Sequence, residues 1–258
     1  MSNSILDQFK LNGKSALIFG GNRGLGLEMA KALSEAGADI CIASRNEEIN
    51  SSAIKFLSSS YNNKSISYCC DVTIEDNINK AVQLTEEHFG KIDILINSAG
   101  INIRGKIEDI SLSDFNKVQQ VNVTGAWLAC KAVVPVMKKN GYGRIINMGS
   151  IFSVTAMTER TPYAVSKGAI LQLTRSLAIE VADKNITVNA ILPGPFATEM
   201  NLPIMNDPEK YRSFISKIPM GRWGALNEIG GLALFLSSQA SSFVTGSAIS
   251  IDGGWVAQ

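Results

Sequence analysis

Seven short runs of apolar and β-branched residues recur along the chain, at 15–19, 39–43, 65–70, 92–97, 144–148, 187–191 and 248–251. Most are continuously apolar rather than alternating, the pattern of strands covered on both faces. Between them lie longer stretches of helical periodicity, at 24–36, 47–58, 74–89, 112–136, 162–183 and 227–236. Gly37 and Gly90 stand just past two of these, where a helix C-cap favours glycine. Alternation of this kind takes right-handed crossovers and builds a parallel sheet with helices on both faces. The expected class is α/β, a doubly wound parallel sheet of about seven strands. No linker, charge block or internal repeat divides the 258 residues, so a single domain over 1–258 is expected. Residues 195–222 break the rhythm with Pro195, Pro203, Pro208 and Pro219. An irregular excursion beyond a strand's C-terminal end is where a substrate lid sits.

Charge and rare residues narrow the partners. Lys+Arg number 24 against 23 Asp+Glu, a formal charge of +1, which offers no field to nucleic acid or an anionic membrane. No run reaches the ~18 apolar residues of a membrane span. Residues 1–14 lack an apolar secretory core, so a reducing, cytoplasmic setting is expected. His88 is the one histidine, which excludes zinc sites built on several His. It lies in a charged helical stretch and reads as a surface residue rather than the base of a triad. Cys41, Cys69, Cys70 and Cys130 form no C-x-x-C pair. The first three sit in apolar, strand-like surroundings and read as buried free thiols.

The first strand runs into Gly20-Gly21-Asn22-Arg23-Gly24-Leu25-Gly26 and then a helix. Glycines let backbone approach a phosphate closely, and a helix N-terminus offers it unpaired N–H groups. Strand, glycine turn and helix together predict a Rossmann-type dinucleotide site, although the spacing Gly20-x3-Gly24-x-Gly26 departs from G-x-G-x-x-G. An NAD site places an acid after the second strand to bind the ribose 2′-OH. Here Ser44 holds that position, Arg45 follows, and Arg23 lies in the glycine turn. Two guanidiniums suit a 2′-phosphate, so the expected cofactor is NADP(H).

Tyr163 and Lys167 stand four apart in a helical stretch and so share a face. A free phenol has a pKa of about 10, and a nearby ammonium favours the phenolate. Tyr163 is therefore expected to exchange a proton with a substrate hydroxyl or carbonyl near neutral pH. Ser150, just past the fifth strand, is placed to hold the substrate oxygen beside it.

These residues resemble the short-chain dehydrogenase/reductase family over nearly the whole chain. Gly20, Gly24 and Gly26 match its cofactor turn, Asp71-Val72 its adenine element and Asn97-Ser98-Ala99-Gly100 its N-N-A-G segment. Asn122, Ser150, Tyr163 and Lys167 fall at its four catalytic positions. Pro193-Gly194-Pro195-Phe196-Ala197-Thr198 is similar to the segment bordering the nicotinamide, and Asp252-Gly253-Gly254 to the C-terminal signature. The resemblance implies that Tyr163 is the general acid in reduction and the base in oxidation. It implies that Lys167 lowers the phenol's pKa and bonds the nicotinamide ribose, that Ser150 polarises the carbonyl, and that Asn122 holds a relay water. Cofactor contacts are thereby expected from Gly20, Asn22, Arg23, Gly24, Leu25, Gly26, Ser44, Arg45, Asp71, Val72, Asn97, Ala99, Gly100, Tyr163, Lys167, Pro193, Gly194, Phe196 and Thr198. Phe19 replaces the usual Thr before the first glycine, Ser98 the second Asn of N-N-A-G, and Gly149 a common Ser.

The expected substrate is a small carbonyl or secondary alcohol: a sugar acid, polyol or other ketone, met by Ser150, Tyr163, Phe152, Met157, Phe196 and Met200. Glu159, Arg160, Glu199 and Asn201 would add polar contacts. The excursion is similar in style to gluconate 5-dehydrogenase-like members, and the whole chain also resembles 3-oxoacyl-carrier-protein reductases. A rival from another class is a non-catalytic NADP-binding regulatory protein, although such a chain should lose Tyr163, Lys167 or Ser150 first. The family commonly assembles as tetramers through the helices at 112–136 and 162–183, so a homotetramer or homodimer is expected.

Replacing Arg45 with Asp should move preference from NADP(H) toward NAD(H), read as kcat/KM with each nucleotide. A parent protein that already prefers NAD(H) would contradict the cofactor assignment.

Overall fold

A computed structural model describes residues 4–258, apart from the side chains of Met200 and Pro203. All seven expected strands form: β1 (Ser15–Phe19), β2 (Asp39–Ser44), β3 (Ser65–Cys69), β4 (Ile94–Asn97), β5 (Gly143–Met148), β6 (Ile186–Pro193) and β7 (Ala248–Ile251). They pair in the order β3-β2-β1-β4-β5-β6-β7, every pairing parallel. The helices are α1 (Gly24–Glu35), α2 (Glu47–Ser60), α3 (Glu75–Phe89), α4 (Leu112–Gln119), α5 (Gly125–Asn140), α6 (Thr161–Val181), α7 (Leu202–Met205), α8 (Pro208–Ile215) and α9 (Glu228–Ser237).

Strand β1 shows why its sequence is apolar throughout. Leu17 and Phe19 enter one core with Ile78 and Val82 of α3, Val133 of α5 and Val181 of α6. Ala16 and Ile18 enter the other with Met29 and Leu33 of α1, Leu57 of α2 and Ile229 of α9. Alternate residues thus feed opposite faces, and no position on the strand is left for water. Burial of a Phe side chain contributes about 1.5–3 kcal/mol, and Phe19 is 1% exposed. Packing replaces the hydroxyl brace that a Thr would give the turn.

Three expectations need correction. The stretch 112–136 is not one helix: α4 and α5 are separated by a π turn, Gln120–Thr124, closed by a hydrogen bond from Gly125 N–H to the Gln120 carbonyl. The interruption follows from Asn122, whose side chain is drawn out to the neighbouring Ile101 backbone. Cys69 is exposed, unlike Cys41, Cys70 and Cys130. It belongs to the edge strand β3, whose burial alternates, and its thiol donates to the Arg45 carbonyl. Strand β6 runs two residues past its expected end and delivers Pro193 directly to the site.

The 195–222 excursion holds a short 3-10 turn (Glu199–Asn201), α7 and α8. Its far side is pinned by aromatic stacking: Phe214 lies 5.3 Å from Trp223 at 10° and 5.1 Å from Trp255. His88 is exposed, its Nδ1 beside the Leu84 carbonyl. Among the described residues, no helix is long and apolar enough to cross a membrane.

The turn after β1 closes on itself. A Cβ on Gly26 would collide with the Gly20 carbonyl oxygen, while Gly20 has φ +77° and would set its own Cβ 2.7 Å from the Ala99 nitrogen. Gly26→Ala is therefore expected to lower the urea midpoint by the equivalent of about 1–3 kcal/mol, measured without nucleotide.

Candidate active site

The winding of the sheet reverses between β1 and β4, and the loops leaving their C-terminal ends part there to form a crevice. Two contacts tie those loops: Gly20 backs onto Ala99, and Ser98 N–H donates to the Phe19 carbonyl at 2.9 Å. Helix α1 opens into the crevice with no side-chain cap and no acid in its first turn, so its leading N–H groups face outward unneutralised. A Cβ at Gly24 would meet nothing within 4 Å, so the turn's mouth is open. Asn22 is buried and Leu25 half-buried at the same turn. This arrangement fits a dinucleotide pyrophosphate.

At the end of β2, Ser44 is hydrogen-bonded to buried Asn50, and Arg45 is exposed with no ion pair among the described residues. Arg23 is also exposed, but its guanidinium pairs with Glu199 of the excursion at 2.6 Å. No carboxylate replaces Ser44, so the donor set fits an NADP 2′-phosphate. Asp71 accepts from Thr73 N–H and hydroxyl at 2.9 and 2.8 Å, which fixes the loop before α3. Val72 beside it packs on Gly125. Asn97 is buried and donates to Asn147 Oδ1 at 2.9 Å, in a polar ladder that continues to Thr174 of α6. Gly194, after Pro193, backs onto Asp252 and donates to the Ile251 carbonyl at 2.9 Å. Thr198 is half-buried.

The four catalytic candidates meet beyond β5. Ser150 is the N-cap of the 3-10 turn Ile151–Ser153; its hydroxyl accepts from Phe152 N–H at 3.2 Å and lies near enough to the Tyr163 phenol to oppose the effect of its burial. Tyr163 and Lys167 share a face of α6, with Lys167 Nζ 5.5 Å from the phenol ring centroid. That ammonium donates to the Met148 carbonyl at 2.6 Å, and a Cβ on Gly100 would lie 3.8 Å from it. Asn122 is engaged on three sides: Oδ1 accepts from Ile101 N–H, and Nδ2 donates to the Ile101 carbonyl and to Ser166 Oγ, all at 2.8–3.0 Å. Its side chain is a clamp between the β4 loop, the π turn and α6.

Electrostatics corrects one expectation. Burial raises the Tyr163 pKa above the usual phenol value. The groups that oppose burial are the Ser150 hydroxyl and the guanidiniums of Arg104 and Arg160, not Lys167. Lys167 is itself desolvated, and its pKa falls to about 8. With that pKa the amine is still mostly charged at neutral pH, yet the phenol's shift is set by burial and by the other three groups rather than by its pull.

On the substrate side, Phe152 meets Tyr163 edge-on at 6.4 Å, and Met157 is half-buried nearby in sequence. Phe196 is 3% exposed, its ring against Gly224, and belongs to the core. The Met200 side chain lies outside the described residues. Arg160 is buried and caps α6; its guanidinium donates to the carbonyl of Glu159, which has φ 60° in the left-handed region. Gly105 N–H reaches the same carbonyl at 3.4 Å, so the segments bearing Arg104 and Arg160 are tied together. Each guanidinium feels Tyr163, and Arg104 depresses the pKa of Arg160. Arg104 carries no sequence motif. The one signal that the sequence offers for it is a cation four residues beyond Gly100, and Lys106 stands close behind.

Residues 20–256 match a family model described as enoyl-(acyl carrier protein) reductase, a branch of the short-chain dehydrogenases/reductases. Gluconate 5-dehydrogenase of Gluconobacter oxydans is 38% identical over 96% of this chain and 96% of its own. The rhamnolipid-biosynthesis 3-oxoacyl-[acyl-carrier-protein] reductase of Pseudomonas aeruginosa is 36% identical over 96% of this chain and 98% of its own. The crystal structure of a gluconate 5-dehydrogenase from Burkholderia cenocepacia, in complex with NADP and tartrate, superposes with a TM-score of 0.95 at 36% identity, covering 99% of this chain and 100% of that one.

The Lys167 shift sets a pH dependence of stability. Lysine titrates at 10.5 when unperturbed and at about 8 here. Between those values the unfolded chain binds more protons than the folded one, so stability gains as pH rises through the window. Below about 8 both states are charged and the desolvation penalty is present in full. The melting temperature of the parent should therefore gain on that of Lys167→Met between pH 8 and 10.5. A difference independent of pH would contradict the buried ammonium.

Proposed function

The chain belongs to the short-chain dehydrogenase/reductase family, and from that premise we propose an NADP(H)-dependent oxidoreductase that interconverts the hydroxyl and keto forms of a sugar acid. The observation that carries the substrate class is that Arg104 and Arg160 stand on two segments tied together by the Gly105–Glu159 hydrogen bond, both within electrostatic reach of the Tyr163 phenol. Two cations held beside the reacting position match a carboxylate, which accepts charge-assisted hydrogen bonds from both. An uncharged 3-oxoacyl chain would make no use of them. The relatives named for gluconate support the same class.

The nicotinamide, when bound, supplies the hydride chemistry. The chain supplies the proton and the geometry. Burial keeps the Tyr163 phenol protonated at neutral pH, the form that reduction requires. Its hydroxyl gives the proton to the substrate carbonyl oxygen, and in oxidation the phenolate takes the alcohol proton back. Ser150 holds the substrate oxygen beside that phenol, and the two guanidiniums stabilise the phenolate left by proton transfer. Lys167, with a pKa of about 8, exchanges its own proton near neutrality and so returns charge to the site. Asn122 is a positioning residue that holds Ile101 and Ser166 in place.

Gly20, Asn22, Gly24, Leu25 and Gly26 would hold the pyrophosphate, and Arg23, Ser44 and Arg45 the ribose phosphate. Asp71 and Val72 would border the adenine. Asn97, Ala99, Gly100, Pro193, Gly194, the backbone of Phe196 and Thr198 would line the nicotinamide half. Phe152 and Met157 would wall the substrate, under residues 195–222 acting as a lid. Exposed Trp127 on α5 and Val165 and Ile179 on α6 favour burial between subunits of a homotetramer.

Tyr163→Phe should lower kcat by about 10²–10⁴-fold while leaving NADPH affinity in place. Arg160→Met should raise KM for a six-carbon keto acid by about ten- to a hundredfold, yet leave KM for a neutral ketose of equal length unchanged. Equal effects on both substrates would move the reading away from acids.

A further inference from the structure

Glu199 opens the 3-10 turn that begins the excursion, and its Oε2 lies 2.6 Å from the Arg23 guanidinium across 176 positions of sequence. Both side chains are largely exposed, at 68% and 61%, so burial does not impose their meeting. Asn201, two residues on, donates from Nδ2 to the Phe196 carbonyl at 3.0 Å and accepts from Arg104 at 3.4 Å. One short turn thus touches a guanidinium on each side of the crevice: Arg23 at the glycine turn and Arg104 beside Tyr163.

We propose that Glu199 tempers the preference for NADP(H), its carboxylate holding the Arg23 guanidinium in the free protein and competing for it with the 2′-phosphate of NADP(H). This rests on the NADP(H) reading given above. A guanidinium fork that already serves one anion offers the next less charge and fewer donors. The cost falls on the nucleotide that carries the extra phosphate; NAD(H) has none at that position. Exposed ion pairs are weak, so the carboxylate moderates affinity by about two- to fivefold rather than abolishing it. As the phosphate leaves, the carboxylate returns to Arg23 and the turn regains its hold on both sides of the crevice.

The test titrates NADPH and NADH into the parent, Glu199→Gln, Arg23→Gln and the double variant, following nucleotide fluorescence without substrate. Glu199→Gln should tighten NADPH about two- to fivefold and leave NADH unchanged. The gain should vanish in the Arg23→Gln background and shrink in 1 M salt, where exposed charges are screened. Unchanged or weaker NADPH binding by Glu199→Gln would overturn the proposal, the weaker result marking the pair as a strap over the nucleotide. Equal tightening of NADH would overturn it as well. A parent that binds NADH more tightly than NADPH would instead sink the cofactor reading, and this inference with it.

Discussion

Two loops can share one crevice only because two side chains are missing. Gly20 and Gly26 let the turn after β1 fold against its own carbonyl and against the backbone of Ala99. That contact fixes the β4 loop, and the β4 loop in turn presents Ile101 to the buried amide of Asn122. From Asn122 the chain of contacts passes through Ser166 to the Tyr163 carbonyl on α6. A buried polar group left without its partner costs about 1–3 kcal/mol, so each link holds the next in one geometry. The phosphate-binding end and the proton-transfer end of the crevice are therefore one mechanical unit.

The electrostatic design places burial against charge. Tyr163 and Lys167 are both desolvated, which raises the acid and lowers the base. Each ends nearer its neutral form in the free protein, and neither relies on the other for it. The cations that favour the phenolate are Arg104 and Arg160, which arrive from separate loops. An arrangement of that kind couples proton transfer to substrate binding, because an anion seated between the arginines would share their field with the phenol.

The parts of this architecture that sequence made legible are those with local signatures. Continuous apolar runs marked β1 and β4, the glycine turn marked the start of α1, and the i, i+4 spacing marked Tyr163 and Lys167. Contacts between distant segments left no such mark. The break at Gln120–Thr124 depends on Ile101, nineteen or more residues earlier in the chain, and so no periodicity within 112–136 could reveal it. Arg104 sits in an irregular loop where a cation is unremarked. The direction of the Tyr163 shift depends on how deeply the ring is covered, a property of packing rather than spacing. Cys69 misleads because apolar, strand-like surroundings suggest burial, whereas the sheet order puts β3 at an edge.

The π turn between α4 and α5 has a consequence for how length variation is borne. Each residue advances an α-helix by about 100°, so a surplus residue in a regular helix would rotate everything before it relative to everything after. A widened turn takes up that surplus locally and leaves the faces of Leu112–Gln119 and Gly125–Asn140 in phase. Deleting a single position there would let the two segments fuse into an unbroken rod with both faces kept on their present neighbours. The bulge acts as a phase keeper: a change of length is absorbed in one turn rather than passed along the rod.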